Sequence, residues 1–447
     1  MPAIARAPIS FAEALRFWLK LGFISFGGPT GQIAIMHQEL VERRRWISEK
    51  RFLHALNYCM LLPGPEATQL ATYIGWMMHR TWGGIVAGGL FVLPSVFILI
   101  LLSWIYLAYG GAWIVSGLFY GIKPAVVAIV LAAAHRIGSR ALKHPLQWTI
   151  AAAAFVAIFA FDAPFPAIIA TAAVIGYAGG RVAPGATSAA GRHEAAKAHG
   201  APAVIDDHTP TPPHARFSWV KLVLYSGGGL GLWGISVGAL WLLFGWQHTL
   251  TQMAWFFSKA AVLTFGGAYA VLPYVFQGAV EHYQWLTAPQ MIDGLALGET
   301  TPGPLIMVVA FVGFVGSWQS LLGPDIATGP APAVAGIAGA LVATWFTFLP
   351  SFVFIFVGAP FIESTHGDLR FTAPLGGITS AVVGVVLNLA LFFAYHVLWP
   401  KGFSGAFDWP SAVIGVAALV ALFRYKAGII PVIAACAVLG LAAQILL

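Results

Sequence analysis

Apolar residues along this chain are grouped in runs of about 20, and most of the charged residues lie between the runs. That length matches the roughly 20 residues that an α-helix needs to cross about 30 Å of hydrocarbon. The pattern therefore predicts an all-α polytopic membrane protein. The clearest predicted spans cover residues 83–105, 113–134, 220–244, 341–362 and 378–397.

The chain also contains an internal repeat. A shift of 239 residues places 17–65 on 256–304 without a gap, and 13 of the 49 aligned positions are identical. Farther along, a shift of 256 aligns the Leu-Pro-Ser motif at 93–95 with the same motif at 349–351. Fixed-period self-similarity of this kind indicates duplicated structural units. We predict two homologous halves.

The boundary between the halves is marked by composition. Residues 181–216 are rich in Ala, Gly, Pro and His and contain no apolar run long enough to span a bilayer. This favours a flexible linker. We therefore divide the chain into a first half at 1–180, the linker at 181–216 and a second half at 217–447.

Charge indicates how the halves are oriented. The first repeat contains a basic loop at residues 43–51. The equivalent loop of the second repeat, residues 277–290, contains no Lys or Arg. Cytoplasmic loops collect positive charge, so the two loops are expected on opposite sides, as in inverted repeats. The alternative is that one loop has drifted in composition. Because the net charge of +7 resides in such loops rather than on one continuous basic face, no nucleic-acid partner is predicted. The basic residues of the first loop are Arg43, Arg44, Arg45, Lys50 and Arg51.

Two helix-breaking motifs recur in both halves. Phe-Gly-Gly stands at 26–28 and 265–267, and Pro-Gly-Pro stands at 63–65 and 302–304. Glycine costs a helix about 1 kcal/mol and an interior proline about 3 kcal/mol, so both motifs should interrupt helices. Broken backbone inside a membrane is tolerated where it lines a cavity, and a restarting helix aims its N–H groups and positive end there. This predicts an anion site. The alternative is proline kinks that serve packing.

Two carboxylates lie beside the Pro-Gly-Pro motifs. Glu66 follows the first motif and Glu299 precedes the second. A carboxylate beside a bound anion takes up a proton more readily, which suggests a proton-coupling role for both. Capping of a helix start is the alternative for Glu66, and it explains Glu299 less easily.

The chain resembles the chromate ion transporter family in its long, two-domain form. The resemblance covers nearly the whole chain and depends on Phe-Gly-Gly-Pro at 26–29, Leu-Leu-Pro-Gly-Pro at 61–65, Gln-Leu-Ala-Thr-Tyr-Ile-Gly at 69–75, and the duplicated motifs at 265–267 and 300–304. It implies proton-driven efflux of chromate from the bacterial cytoplasm across the inner membrane, with sulfate as the chemical look-alike.

The candidate substrate-binding residues combine the breaks, nearby hydroxyls and lysines, and the motifs of the resemblance. Lys20 and Lys259 are equivalent in the repeat, and snorkelling to the interface is their alternative role. Lys123 is embedded in an apolar run, where an ionisable group is by default a functional candidate. The full set is Lys20, Ser25, Gly27, Gly28, Pro63, Gly64, Pro65, Gln69, Lys123, Lys259, Thr264, Gly266, Gly267, Thr300, Thr301, Pro302, Gly303 and Pro304.

The expected partners are a chromate- or sulfate-like oxyanion, protons and the lipid bilayer, with a homodimer left open. No cofactor and no metal are expected. A membrane enzyme is the rival class, but the two cysteines, Cys59 and Cys436, form no spaced pair and the 16 acidic residues form no cluster. A sulfate transporter and a passive anion channel remain alternatives to the chromate exporter.

Overall fold

The computed structural model describes residues 9–26, 28–182, 203–206, 209, 212–320, 331–365 and 372–446. Within these ranges the chain is helical and contains no β-sheet. The helices are α1 Phe11–Ile24, α2 Gly28–His37, α3 Glu49–Cys59, α4 Glu66–Tyr109, α5 Trp113–Ala141, α6 Pro145–Phe161, α7 Phe165–Val182, α8 Trp219–Phe244, α9 Thr249–Leu263, α10 Ala268–Phe276, α11 Ala288–Thr300, α12 Val308–Ser320, α13 Ala331–Thr365, α14 Thr372–Leu398, α15 Trp409–Phe423 and α16 Ile429–Leu446.

Five of these helices are long and apolar enough to cross a membrane: α4, α5, α8, α13 and α14. Each contains one of the five runs that the sequence pattern identified, so those predictions are confirmed. The protein is an all-α, multi-pass membrane protein. Further apolar helices of 10–17 residues, α6 and α15 among them, accompany the long ones.

The first half begins with a helical hairpin of α1 and α2, in which the end of α2 lies on the same side as the start of α1. The chain after α2 lies against the beginning of α1, where the rings of Phe17 and Trp46 are 5.0 Å apart. A π-helical turn at Gln38–Arg43 follows α2. The Phe-Gly-Gly break therefore stands at the inner tip of this hairpin.

A second hairpin carries the Pro-Gly-Pro tip. It consists of α3 and the first arm of α4, which ends where His79 and Arg80 leave the helical conformation. There the chain reverses, and the second arm of α4 runs back along the first. The arms touch through glycines, because a Cβ on Gly75 would lie only 2.4 Å from the carbonyl oxygen of Gly83. Only glycine permits this close approach.

The second half repeats both hairpins with α9–α10 and α11–α12. Phe256 and Trp285 are the equivalents of Phe17 and Trp46, and their rings lie 5.4 Å apart. The π-helical turn also recurs, at Gln277–His282. The duplicated sequence thus folds into duplicated structure.

The two halves exchange helices. α6 and α7 of the first half pack against α14, whereas α15 and α16 of the second half pack against α5. A Cβ on Gly121 of α5 would lie 2.7 Å from the Cα of Gly440, and one on Gly377 of α14 would lie 2.8 Å from the Cα of Gly176. Gly121 and Gly377 are repeat equivalents, so both close contacts obey the same pseudo-symmetry.

Part of the predicted flexible linker is packed against the first half. The N–H of Ser48 donates to the carbonyl of Ile205 at 2.9 Å. Arg51 donates to the carbonyl of Thr209 at 2.7 Å. Ile205 is 8% exposed. Residues 203–206 and 209 therefore lie along the basic loop, which their composition did not indicate.

Candidate functional site

The helix breaks of the two halves meet in crosswise pairs. The N–H of Gly303 donates to the carbonyl of Ser25 at 2.8 Å, and the N–H of Gly64 donates to the carbonyl of Thr264 at 2.7 Å. The 239-residue shift carries Ser25 onto Thr264 and Gly64 onto Gly303. Each contact therefore joins a Phe-Gly-Gly break of one half to the Pro-Gly-Pro break of the other. We call the region of these two contacts the crossing.

Glycine is required at both Pro-Gly-Pro tips. Gly64 and Gly303 have φ of 121° and 99°, a region that residues with a Cβ rarely adopt. A Cβ on Gly64 would lie 2.3 Å from Oγ of Ser351, and one on Gly303 would lie 2.8 Å from Cβ of Ser95. Both serines belong to the Leu-Pro-Ser motif of the opposite half, so the close fit is also reciprocal.

Two buried glutamines face the crossing. Nε2 of Gln32 donates to the carbonyl of Gly303, and Nε2 of Gln69 donates to the carbonyl of Pro63 at 2.7 Å. Because both acceptors are carbonyl oxygens, they fix which end of each amide is nitrogen. Both glutamines are fully buried. Their amide oxygens consequently point away from the backbone contacts.

Several polar atoms at the crossing are available to a ligand. Buried polar groups in proteins are normally paired, since an unsatisfied one costs about 1–3 kcal/mol. Hydroxyls can donate to an anion, whereas amide oxygens accept from a protonated group or water. The buried atoms without a hydrogen-bond partner among the described residues include Oγ of Ser25 and Ser95 and Oε1 of Gln32 and Gln69.

The hydroxyl groups of the predicted threonines are hydrogen-bonded within their own helices. Thr264, Thr300 and Thr301 each donate to a carbonyl of their own helix, three or four residues earlier. α4 begins at Glu66, directly beside the Pro-Gly-Pro tip. Its first N–H groups have no partner within the helix, and its positive dipole end lies next to the crossing. The helix start therefore offers donors that the threonine hydroxyls do not.

The two predicted coupling carboxylates have different surroundings. Glu299 is 5% exposed, and the hydroxyl of Tyr269 donates to its Oε1. Glu66 is half-buried, occupies the first position of α4, and its helix start has no side-chain cap.

The three predicted lysines do not converge on the crossing. Lys20 and Lys259 are exposed on the outer faces of α1 and α9. Nζ of Lys259 lies 5.8 Å from the ring of Trp255. Nζ of Lys123 lies 3.5 Å from Oδ2 of Asp293, a residue that is itself 2% exposed. The structure thus gives Lys123 a carboxylate partner from the other half.

Two ion pairs of this kind join the halves. Nη1 of Arg51 lies 2.9 Å from Oε2 of Glu363, whose other oxygen accepts from the hydroxyl of Tyr73. Asp293 likewise accepts from the hydroxyl of Tyr106 at 2.9 Å, in addition to Lys123. Arg51–Glu363 links α3 to the end of α13, and Lys123–Asp293 links α5 to α11. Each pair therefore joins the Pro-Gly-Pro hairpin of one half to a long helix of the other half.

The remaining candidates that the structure describes lie at the breaks themselves. Gly28, Gly266 and Gly267 have positive φ, as chain reversals at the tips require. Pro63, Pro65, Pro302 and Pro304 occupy the interruptions between α3 and α4 and between α11 and α12. Gly27 lies outside the described residues.

Four histidines lie in the linker. His214 contacts the carbonyl of Trp76 at 2.9 Å. His193, His199 and His208 lie outside the described residues. Within the described ranges, no group of three or more His, Cys, Asp or Glu side chains could hold a metal ion.

Comparison with known proteins decides the family. The chromate transporter family model matches residues 12–177 and 251–441. The chain belongs to the chromate transporter family. It is 28% identical over 97% of its length to the chromate transport protein of Cupriavidus metallidurans, 94% of which is covered. It is 32% identical over 85% of its length to the chromate transport protein of Pseudomonas aeruginosa, 80% of which is covered. A probable chromate transport protein of Synechococcus elongatus is 28% identical over 93% of the chain, with 90% of that protein covered.

Membership of the chromate transporter family confirms the resemblance and its long two-domain form, because the two matched regions correspond to the two halves. It also confirms that the chain is a transport protein and not an enzyme, since these relatives are named transport proteins. No solved structure matches this chain at a significant level.

Sequence reasoning missed several polar residues of this chromate transporter family member, some at the crossing and some in the ion pairs between the halves. Gln32 is a polar residue inside an otherwise apolar segment, and that signal was available in the sequence. Tyr269, Asp293 and Glu363 gave no comparable signal, because their importance depends on partners brought close by folding.

Proposed function

We propose that this protein exports chromate from the bacterial cytoplasm across the inner membrane, coupled to protons. Its family and the names of its relatives support the cargo class. The observation that carries the mechanism is the crossing, where the Phe-Gly-Gly break of each half is hydrogen-bonded to the Pro-Gly-Pro break of the other, beside buried polar atoms without a hydrogen-bond partner among the described residues. Chromate is a tetrahedral dianion, and hydroxyls together with free N–H groups at a helix start are suitable donors for it.

We infer that the two halves enter the membrane from opposite faces, an arrangement that many alternating-access transporters share. Among the described residues, five α-helical segments separate the Pro-Gly-Pro hairpin of the first half from the hairpins of the second. They are the second arm of α4 and the helices α5, α6, α7 and α8. If each of these crosses the bilayer once, the odd number inverts the second half. The contrast between the basic loop and its neutral counterpart supports the same arrangement. Inverted repeats commonly hold the substrate at their interface near the midplane.

The ion pairs are consistent with this arrangement. In the inverted orientation, Arg51–Glu363 lies towards the cytoplasmic end of the crossing and Lys123–Asp293 towards the periplasmic end. Each pair connects both halves, so rocking of one half against the other has to open one pair at a time. These contacts provide the two closures that alternating access needs.

The membrane potential favours the export of a dianion together with one proton. A dianion that leaves with one proton carries one net negative charge outward. An inside-negative potential favours that movement by about 2.3 kcal/mol per 100 mV. Sulfate is also a tetrahedral dianion, so the donors at the crossing do not by themselves distinguish it from chromate.

Flux into everted vesicles that contain the full chain tests the proposal. We expect chromate uptake into these vesicles, and we expect it to change when the proton gradient is abolished at constant potential. Sulfate uptake exceeding chromate uptake would identify sulfate as the cargo. Uptake that ignores the proton gradient would indicate a passive anion channel.

A further inference from the structure

The unpartnered polar atoms are distributed unequally between the two halves. Among the described residues, the second half has one buried side-chain oxygen without a hydrogen-bond partner, Oδ1 of Asp293, whose other oxygen pairs with Lys123. Duplication alone would give the two halves similar numbers. The first half instead contributes a hydroxyl or amide oxygen of this kind from each of Ser25, Gln32, Thr68, Gln69, Ser95 and Ser103.

Three of these first-half residues surround Gly303, the tip of the second half. The carbonyl of Ser25 accepts from the N–H of Gly303 at 2.8 Å. Nε2 of Gln32 donates to the carbonyl of Gly303 and lies 3.5 Å from the carbonyl of Ser25. Oγ of Ser95 lies 3.2 Å from the place that a Cβ on Gly303 would occupy. The N–H, the carbonyl and the Cβ position of this glycine therefore each face a fully buried residue of the other half.

The first difference between the two tips concerns the hydroxyl beside each Phe-Gly-Gly break. Thr264 is the repeat equivalent of Ser25, and its hydroxyl donates to the carbonyl of Ala260 at 2.7 Å, within its own helix. Threonine and serine side chains commonly make this bond to the preceding turn. Oγ of Ser25 has no partner among the described residues, although the Ser25 carbonyl binds Gly303 just as the Thr264 carbonyl binds Gly64. The Ser25 hydroxyl is therefore available as a donor.

The second difference concerns the side chains packed against each tip. Ser351 is the repeat equivalent of Ser95, and its hydroxyl accepts from Nε2 of Gln69 at 3.5 Å. Oγ of Ser95 has no partner within the described ranges. Val271 occupies the position that Gln32 has in the first half. The two tips therefore match in backbone geometry but differ in hydrogen-bonding capacity.

We propose that the oxyanion binds at the Gly303 tip alone, where the hydroxyls of Ser25 and Ser95 donate to its oxygens. This inference rests on the proposed function, and it assigns one oxyanion to each chain. A bound anion satisfies both hydroxyls, whose burial without a partner costs free energy. Gln32 is a positioning residue, because its nitrogen holds the Gly303 carbonyl and its oxygen can only accept. Both hydroxyls are buried, so the cargo reaches them when the halves move apart.

Anion binding to the purified full chain tests this assignment. Equilibrium dialysis with labelled chromate and labelled sulfate gives the dissociation constant and the number of anions bound at saturation, which should be one per chain. Ser25→Ala and Ser95→Ala each remove one donor to the anion. Each should raise the dissociation constant at least about tenfold, the factor that corresponds to 1.4 kcal/mol. Ser351→Ala is the matched control, because it makes the same change at the repeat equivalent of Ser95, and it should bind like the parent.

A second control separates the location of a hydroxyl from its lack of a partner. Ser103 lies on the same arm of α4 as Ser95, about 12 Å farther along the helix. It is fully buried, and its hydroxyl also has no partner among the described residues. Ser103→Ala should leave the dissociation constant unchanged. Equal weakening by Ser103→Ala and Ser95→Ala would indicate a general effect on α4 and would overturn the role of Ser95.

Thermal stability distinguishes an anion ligand from a structural serine. Removing a buried hydroxyl that has no partner breaks no hydrogen bond and eliminates a desolvated polar group. Ser25→Ala and Ser95→Ala should therefore weaken anion binding without lowering the melting temperature of the anion-free protein. A lower melting temperature in both variants would mean that the two serines hold the fold, and their assignment as anion ligands would be wrong.

The outcomes separate this inference from the proposed function. If the parent binds neither ion, the proposed function is wrong. If the parent binds and both Ser25→Ala and Ser95→Ala bind equally well, the function stands and this site is wrong. Two anions per chain at saturation, or a loss in Ser351→Ala as large as that in Ser95→Ala, would overturn the restriction to the Gly303 tip.

Discussion

The amide of Gly64 donates to the carbonyl of Thr264 across 2.7 Å, and this bond joins the Pro-Gly-Pro tip of one half to the Phe-Gly-Gly break of the other. Its repeat equivalent, from Gly303 to Ser25, measures 2.8 Å. Since each tip is fixed by the opposite half, neither tip can move without changing the interface between the halves. Both bonds therefore belong to the interface between the halves.

We expect Gly64→Val and Gly303→Val to abolish transport while the protein still inserts in the membrane. The added Cβ would meet Ser351 or Ser95 at under 3 Å, and a β-branched residue tolerates the positive φ poorly. Vesicle flux and membrane abundance measure the two effects separately. Gly89→Val in α4 is the control, because a Cβ there meets no atom within 4 Å. Normal transport by the tip variants would show that the breaks serve packing alone.

The inverted arrangement predicts that equivalent loops label from opposite sides. Arg43 and His282 are repeat equivalents and both are exposed. In a background without Cys59 and Cys436, Arg43→Cys should react with an impermeant thiol reagent from the cytoplasmic side only, and His282→Cys from the periplasmic side only. Labelling of both from one side would rule out inversion.

Glu299→Gln should transport anion without dependence on the proton gradient. The amide mimics the protonated carboxyl at nearly constant shape, so the exchangeable proton is lost while the contact with Tyr269 can persist. Flux in vesicles with an imposed pH gradient at fixed potential measures the effect. Glu66→Gln is the paired test, because Glu66 also occupies the first position of α4 and favours the helix start. If both variants respond to the gradient as the parent does, neither carboxylate couples the fluxes.

The Arg51–Glu363 pair predicts a charge-swap rescue. Glu363→Arg alone should lower the melting temperature and transport, because two cations would then face each other beside Tyr73 in a largely buried site. Breaking a buried ion pair costs about 3–5 kcal/mol. Combining Glu363→Arg with Arg51→Glu restores opposite charges and should recover part of both quantities. Arg43→Glu is the control partner, since the Arg43 side chain is exposed and bonded to Glu39 instead. Equal recovery with either partner would contradict a specific link between the halves.

The sequence predicted features that depend on a short stretch of chain better than features that depend on contacts between distant residues. Spans such as 83–105 were predicted from local apolar length, which the bilayer itself imposes. The tips at Gly64 and Gly303 were predicted because proline and glycine interrupt a helix whatever surrounds them. Lys20 and Lys259 were placed at the site from their spacing in the repeat, yet both point outward, since spacing along a broken helix does not fix which face turns inward.

The sequence by itself determined that the chain is duplicated, lies in a membrane and breaks its helices at four matching positions. Only the tertiary structure decided how those breaks pair. The bond from Gly64 to Thr264 and the ion pair of Arg51 with Glu363 connect residues more than 150 positions apart, in different halves. Such contacts depend on the exchange of helices between the halves. Their physical basis is close packing and hydrogen-bond geometry in three dimensions, for which neither periodicity nor composition carries a signal.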